Sequence, residues 1–274
     1  MTRWMSGDQV AAYVIRGCGN CRRCARGEDN LCQRGEPGRN PYLGLGTHFD
    51  GGMADYVALR ADAVADAAGL DLVTSAPLTD AGLTALHAIN SLHPAAPTQS
   101  CILVIGVGGL GHLGLQILAH RTDAQLLAVD RNPASVELAL KLGAHQAIAA
   151  DGDETAAVLD MVDGRNVTAV LDFVGVDSTL SLGAAVTNRG GQIVVAGLGG
   201  GQIPFQATSV SAVSPEVSLK RVSAGTRAEL VEVLDLGRIG AVRAETKTYP
   251  LDQAAEAIAA VEAGSLTGRA VLIP

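Results

Sequence analysis

The sequence predicts an α/β chain built on a doubly wound parallel sheet. Three observations carry that prediction. An apolar run of strand length, Cys101 to Ile105, leads directly into Gly106-Val-Gly-Gly-Leu-Gly111 and then into an apolar segment of helix length containing Leu113, Leu115, Ile117 and Leu118. A second run, Gln125 to Asp130, ends in an acid 24 positions after Gly106. Beyond it, strand-length and helix-length segments alternate as far as Ser223. That rhythm is the pattern of parallel strands joined by right-handed crossovers.

Taken in order, residues 8–15 read as a strand, and a cysteine-rich stretch follows it. Gly51 to Leu59 reads as a glycine turn entering another strand, and residues 61–75 as irregular. Helical patterning starts near Pro77 and runs through Leu78, Leu83, Leu86 and Ile89; His93-Pro94 and Pro97 break it. After Asp130, Asn132-Pro133 is an N-cap and first-turn proline, and Gly143 a helix-terminating glycine. A strand is expected near 146–149, a helix near 154–162, a strand at 167–173, a helix near 179–187, then strands at 191–196 and 217–223. The last fifty residues give an amphipathic helix at 226–236, a strand near 242–248, a helix at 252–263 and a strand at 269–273.

Composition agrees with this architecture. Hydrophobic residues make up 48% of the 274 residues and aromatics only 3%, so aliphatic side chains do the packing, as in sheets buried on both faces. A net charge of −8 argues against a general affinity for nucleic acid or anionic membrane. No apolar run reaches the ~18 residues of a membrane span, and the first residues lack the apolar core of a secretory signal. A cytoplasmic protein is expected, and in a reducing compartment clustered cysteines bind metal in preference to forming disulfides.

The chemistry of the glycine turn follows from its context. Strand, Gly-x-Gly-x-x-Gly and helix together form a dinucleotide fingerprint. Gly106 allows the tight turn, Gly108 lets the backbone approach a pyrophosphate, and Gly111 lets helix and strand pack closely. Gly109 and Leu110 complete the turn, whose N–H groups face the phosphates. Asp130 stands where a carboxylate accepts the ribose hydroxyls, and its charge disfavours a 2′-phosphate, so NAD is expected over NADP. The adjacent Arg131 is the kind of residue that accepts a 2′-phosphate, which leaves both cofactors open at this point. An ordinary glycine-rich turn ending near a strand-end acid is the plain alternative.

Four of the five cysteines lie within 15 residues: Cys18, Cys21, Cys24 and Cys32. Their x2, x2, x7 spacing suits one tetrahedral Zn²⁺. Four thiolates leave no open position, so the site is structural. Arg16, Arg22, Arg23 and Arg26 would offset its charge. A redox dithiol or an iron–sulfur site are the competing readings. Cys101 reads as an inert core thiol.

Several motifs now coincide, and the chain resembles the zinc-containing alcohol dehydrogenases of the medium-chain dehydrogenase/reductase family. The match is carried by Gly17-Cys-Gly-x-Cys-x-x-Cys-x7-Cys32, Asp50-Gly-Gly-Met-Ala-Asp-Tyr-Val57, Ala76-Pro-Leu-Thr-Asp-Ala-Gly-Leu-Thr84, Val104-Ile-Gly-Val-Gly-Gly-Leu-Gly111, Asp172-Phe-Val-Gly175 and Gly268-Arg-Ala-Val-Leu-Ile-Pro274. The resemblance implies a Rossmann doubly wound sheet inserted into a GroES-like β-barrel catalytic domain, here N-terminally incomplete. Residues 1–80 are then the partial catalytic domain with the zinc lobe, 81–224 the NAD-binding domain, and 225–274 the return to the catalytic domain. It also implies a homo-oligomer, dimer or tetramer, with the strand at 217–223 near the interface.

Residue by residue, the resemblance assigns Cys18, Cys21, Cys24 and Cys32 to the structural zinc and Asp80 to the catalytic zinc. Away from the family, Asp80 reads as a first-turn carboxylate favoured by the helix dipole. Thr84 matches a residue packed on the nicotinamide; Phe173, Val174, Gly197 and Leu198 match positions lining the nicotinamide half. Arg269 matches an arginine that reaches the pyrophosphate. His87 and His112 match no catalytic position; His87 on the packed helix reads as a structural histidine, His112 sits in the first turn after the glycines, and His48 reads as a loop histidine.

The departure from the family is large. Its other catalytic-zinc ligands and its proton relay lie upstream of the structural-zinc lobe, whereas the 17 residues before Cys18 hold no cysteine or histidine. An internal start at Met1-Thr-Arg-Trp is therefore expected. Three activities remain in play: an NAD-dependent alcohol dehydrogenase acting on alcohols, secondary ones among them, and impaired as given; a non-catalytic NAD(H)- and zinc-binding remnant; and a zinc-free quinone reductase of the same superfamily.

Overall fold

The structure is a computed structural model and describes residues 4–34, 44–92, 100–162, 164–204, 206 and 212–274. Met1-Thr-Arg of the expected internal start, and the breakers His93-Pro94 and Pro97, lie outside the described residues. The chain divides into two units, residues 1–83 with 224–274, and residues 84–223.

The first unit begins with a short strand, β1 (Val10–Ala12), antiparallel to β2 (Val64–Asp66), with Val10 opposite Asp66 and Ala12 opposite Val64. The strand expected over 8–15 is thus only three residues long. Residues 61–75, expected to be irregular, hold β2 and a one-turn helix, α1 (Leu72–Ser75). Asp71 caps α1 by accepting the N–H of Thr74 at 2.8 Å, as an N-cap carboxylate does. The strand expected at 51–59 does not form. Its alternation is strand-like, but no strand pairs with it among the described residues, and Met53, Tyr56 and Val57 are exposed. A 3₁₀ turn, Ala76–Thr79, then leads into α2 (Ala81–Asn90), within which the division between units falls.

The second unit is the doubly wound sheet. Its strands are β3 (Ser100–Ile105), β4 (Gln125–Asp130), β5 (Gln146–Ala149), β6 (Asn166–Asp172), β7 (Gln192–Val195) and β8 (Ser218–Arg221). All pair in parallel, in the order β5-β4-β3-β6-β7-β8. The order reverses between β3 and β6, which opens a crevice at their C-terminal ends, where such sheets bind ligands. The helices between strands are α3 (Gly111–Arg121), α4 (Pro133–Lys141), α5 (Glu154–Met161) and α6 (Asp177–Val186). Alternate strand residues feed two cores. Ile102, Val104, Leu126 and Ala128 pack with Leu115, Leu118 and Ala139 on one face. Leu103, Ile105, Leu127 and Val129 pack with Val158 and Leu180 on the other. Each fully buried aliphatic side chain here stabilises by about 1.5–3 kcal/mol relative to exposure.

The chain then returns to the first unit through α7 (Arg227–Arg238), β9 (Thr246–Pro250), α8 (Ala254–Glu262) and β10 (Arg269–Ile273). Thr226 and Glu229 form a capping box: the Glu229 N–H donates to Thr226 Oγ1 at 3.2 Å and the Thr226 N–H to Glu229 Oε2 at 2.7 Å. One face of α7 buries Leu230, Val233 and Leu234. Arg227 donates to the Val64 carbonyl and Arg238 to those of Asp66 and Ala68, tying α7 to the β2 segment. The Tyr13 hydroxyl, just past β1, donates to the Gly225 carbonyl at 2.8 Å. β9 and β10 pair in parallel, with Arg269 opposite Thr246. No helix of the described residues is long and apolar enough to cross a membrane.

Candidate functional site

The glycine turn is built by close approach. Gly106 has a φ of +84°, where side-chain-bearing residues are strained. Its N–H donates to the Val129 carbonyl at 2.8 Å, so the turn starts from the β4 ladder. A Cβ on Gly111 would lie 1.8 Å from the Gly106 carbonyl oxygen, whereas one on Gly108 would meet nothing within 4 Å. Gly111 is therefore needed by the fold, and Gly108 leaves open space at the tip of the turn.

Asp130 does more than end β4. Its Oδ2 accepts the Val107 N–H at 2.7 Å and its Oδ1 the Asn132 N–H at 2.8 Å. A carboxylate offers about four lone-pair sites, so each oxygen keeps capacity for a ribose hydroxyl. Arg131 is exposed beside it.

The ends of β6 and β7 cross just as tightly. A Cβ on Gly197 would lie 2.1 Å from the Val174 carbonyl carbon. The Gly199 N–H donates to the Val174 carbonyl at 3.0 Å. Phe173 is partly buried, and its ring lies against α3 where Cβ atoms on Gly111 or Gly114 would stand, 3.3 and 3.0 Å away. Leu198 is 75% exposed, and Thr84 is buried on α2.

Two residues here escaped the sequence reading of roles. Asp172 is 1% exposed, and its Oδ1 accepts the N–H groups of Val174 and Gly175 at 2.8 and 2.9 Å. Its Oδ2 is buried and meets no donor among the described residues. The signal was a strand-end acid two residues before the loop it organises. The other is His112, fully buried, whose ring Nδ1 lies 2.7 Å from the Gly108 carbonyl oxygen.

In the first unit the four cysteines do converge. Their sulfurs all lie within 4.8 Å of one another, and those of Cys18 and Cys24 are 3.9 Å apart. Zn–S bonds of about 2.3 Å in a tetrahedron require sulfurs about 3.8 Å apart, so the donor set fits the metal. Backbone N–H groups already point at the sulfurs: Cys21 donates to Cys18, Cys24 and Gln33 to Cys21, and Cys18 to Cys32. The Cys24 and Gln33 amides hold the Cys21 thiol down at about 6, and burial pushes the Cys24 thiol up. Gly17 is needed for this packing, since a Cβ there would lie 2.9 Å from Cys24 Sγ. The arginines expected to offset the charge are partly committed elsewhere. Arg23 pairs with Glu28 at 2.7 Å, and Arg16 stacks over Phe49.

Asp80 sits between the 3₁₀ turn and α2, and its Oδ2 lies 3.4 Å from an Arg269 guanidinium nitrogen. The two residues assigned separately to zinc and pyrophosphate are thus partners in this structure. Among the described residues, the four cysteines are the only group of three or more potential metal ligands. Asp80 alone does not make a catalytic zinc site among the described residues.

Comparison with known proteins places this geometry in a family. A family model described as "Alcohol dehydrogenase GroES-like domain" matches residues 1–68, and one described as "Zinc-binding dehydrogenase" matches residues 109–238. The NAD-dependent alcohol dehydrogenase of Saccharolobus solfataricus is 31% identical over 99% of this chain and 76% of its own length. The chain belongs to the zinc-containing alcohol dehydrogenases of the medium-chain family. An alcohol dehydrogenase of Geobacillus stearothermophilus is 33% identical over 97% of this chain and 75% of that one. Among solved structures, the alcohol dehydrogenase of Aeropyrum pernix superposes with a TM-score of 0.84 at 33% identity, covering 100% of this chain and 78% of that one. The acetophenone reductase of Geotrichum candidum in complex with NAD gives 0.83 at 28% identity, covering 99% and 75%. As an alcohol dehydrogenase family member, this chain carries the family's Rossmann sheet in residues 84–223.

Proposed function

We propose that this chain binds NAD through residues 84–223 and transfers hydride between that cofactor and an alcohol or its carbonyl partner. The observation that carries the reading is the open glycine turn at Gly108 set beside Asp130, whose carboxylate retains acceptor capacity. The amides of the Gly106–Gly111 turn bind the pyrophosphate, and Asp130 receives the ribose hydroxyls and repels a 2′-phosphate. Thr84, Phe173, Val174, Gly197 and Leu198 shape the nicotinamide half. Bound NAD supplies the acceptor for the hydride leaving the carbinol carbon, and the alcohol proton leaves separately. Secondary alcohols and ketones are the proposed substrates, a choice supported by the acetophenone reductase likeness.

Cys18, Cys21, Cys24 and Cys32 hold one structural zinc, which stiffens their lobe and takes no part in the reaction. The reducing conditions of the cytoplasm suit those thiols. A homo-oligomer is supported by β8, an edge strand whose four residues are all exposed.

The solitary Asp80 favours a second reading, in which the 274-residue chain binds NAD(H) and zinc without turnover. A zinc-free quinone reductase fits less well, because it leaves the four converging sulfurs without a purpose. Zinc per chain, NADH titration and NAD-linked oxidation of a secondary alcohol separate the three. NADH binding with about one zinc and turnover supports the dehydrogenase, binding with about one zinc and no turnover the second reading, and binding without zinc the quinone reductase; no NADH binding overturns the first two.

A further inference from the structure

His112 is an unexpected residue where it stands. It lies in the first turn of α3, is 0% exposed, and is followed by the buried Leu113, Leu115, Ile117 and Leu118. Its ring Nδ1 lies 2.7 Å from the Gly108 carbonyl oxygen. A carbonyl oxygen only accepts, so Nδ1 carries the proton and donates. The same oxygen accepts the His112 backbone N–H at 3.2 Å. One residue therefore holds the Gly108 carbonyl with two donors, one from main chain and one from side chain.

The consequence lies across the peptide plane. In a trans peptide the N–H of the following residue points opposite to the carbonyl. With the Gly108 C=O turned in toward α3, the Gly109 N–H is turned away from it, in a turn where Gly108 leaves open space. The amides of Gly108, Gly109 and Leu110 donate to nothing among the described residues. They are the free donors that a helix N-terminus offers to an anion. Glycine on both sides leaves the whole peptide plane free to flip about the adjoining Cα bonds, and a flipped plane would present a carbonyl oxygen, which repels phosphate.

We propose that His112 is a positioning residue for the dinucleotide: by donating from Nδ1 to the Gly108 carbonyl it locks the Gly108–Gly109 peptide with the Gly109 N–H facing the pyrophosphate. The proposal rests on the cofactor reading above. It goes beyond that reading by assigning the orientation of the turn to a side chain that touches no ligand.

Ligand fragments test it. ADP carries the pyrophosphate and adenosine does not, so a locked amide matters to the first and not to the second. Affinities of the full chain for NADH, ADP and adenosine are measured by calorimetry, with thermal melts beside them. His112→Leu is expected to weaken NADH and ADP about five- to tenfold, the worth of one hydrogen bond, and to leave adenosine unchanged. His112→Asn, whose amide nitrogen stands where Nδ1 stood, is expected to restore ADP affinity; His112→Gln, which reaches toward the Nε2 position, is not. If His112→Leu fails to fold, the Asn and Gln variants carry the comparison. Equal losses of ADP and adenosine, unchanged ADP affinity in a folded His112→Leu, or equal behaviour of Asn and Gln overturns the proposal. Failure of the unsubstituted chain to bind NADH or ADP overturns the cofactor reading itself, and is told apart by arising before any substitution.

Discussion

Gly108→Ala separates what the fold needs from what the ligand needs. The position is exposed, its φ lies outside the left-handed region, and an added Cβ meets no atom within 4 Å. In the free chain the methyl is therefore accommodated, and the melting temperature should stay within about 1–2 °C, the shift expected of a change below ~0.5 kcal/mol. With the pyrophosphate lying against the turn, the same methyl occupies the ligand's space. Overpacking by one carbon costs about 1–3 kcal/mol, which is roughly a 5- to 150-fold loss of NADH affinity. Gly111→Ala is the contrasting perturbation. Its Cβ would lie 1.8 Å from the Gly106 oxygen, so helix and turn must part and both stability and affinity fall. The assay is a thermal melt of the free chain paired with an NADH titration. Unchanged NADH affinity in Gly108→Ala would refute the idea that the open space at Gly108 is where the pyrophosphate lies. A large loss of stability would refute the reading of that space as empty in the fold.

Further outcomes are expected elsewhere. Gly197→Ala should destabilise by about 3 kcal/mol or more, since its Cβ would stand 2.1–2.5 Å from three backbone atoms of Val174; a wild-type denaturant midpoint would contradict this. Tyr13→Phe should cost about 1–2 kcal/mol, because the buried hydroxyl donates to the Gly225 carbonyl, which then loses that donor. Chelation of the purified protein should release one zinc per chain, and Cys24→Ser should lower that content; full zinc in the variant would exclude the four-sulfur site. The Thr74 N–H and hydroxyl hold the Asp71 carboxyl below its ordinary 3.8. Its contribution to stability is accordingly complete above pH 3.8 and lost as pH falls through the lowered value. An NMR titration of Asp71 with a midpoint at or above 3.8 would contradict the capping geometry.

The sheet was legible because its central strands, β3 above all, are buried on both faces. Cys101 to Ile105 and Gln125 to Asp130 read as unbroken apolar runs, and Asn132-Pro133 and Gly143 mark the ends of α4 in the sequence itself. The first unit was less legible because its pairings are short and distant. Nothing local to Val10–Ala12 indicates a partner at Val64–Asp66, and the alternation at 51–59 looks like a strand yet has no strand beside it among the described residues. The site divides in the same way. The cysteines and glycines declare themselves by spacing. The approach of Asp80 to Arg269 spans 189 positions and leaves no such mark. The role of His112 is directed at a backbone group, which every residue possesses, so no residue pattern encodes it, and Asp172 left only the mark of an acid at a strand end.

The double engagement of Asp130 bears on how cofactor preference can change in this chain. Replacing that acid is the obvious way to admit a 2′-phosphate, yet its Oδ2 also receives the Val107 amide and its Oδ1 the Asn132 amide. A substitute without an acceptor there, such as Ala or Lys, removes selectivity and scaffolding together, so any gain in NADP use would arrive with a loosened turn and weaker binding of both dinucleotides. A workable route retains an acceptor at the end of β4, such as Asn or Ser, and relies on the neighbouring exposed Arg131 to meet the extra phosphate. Cofactor choice in this lineage is thereby expected to shift through paired changes, with the scaffold replaced before the charge is reversed.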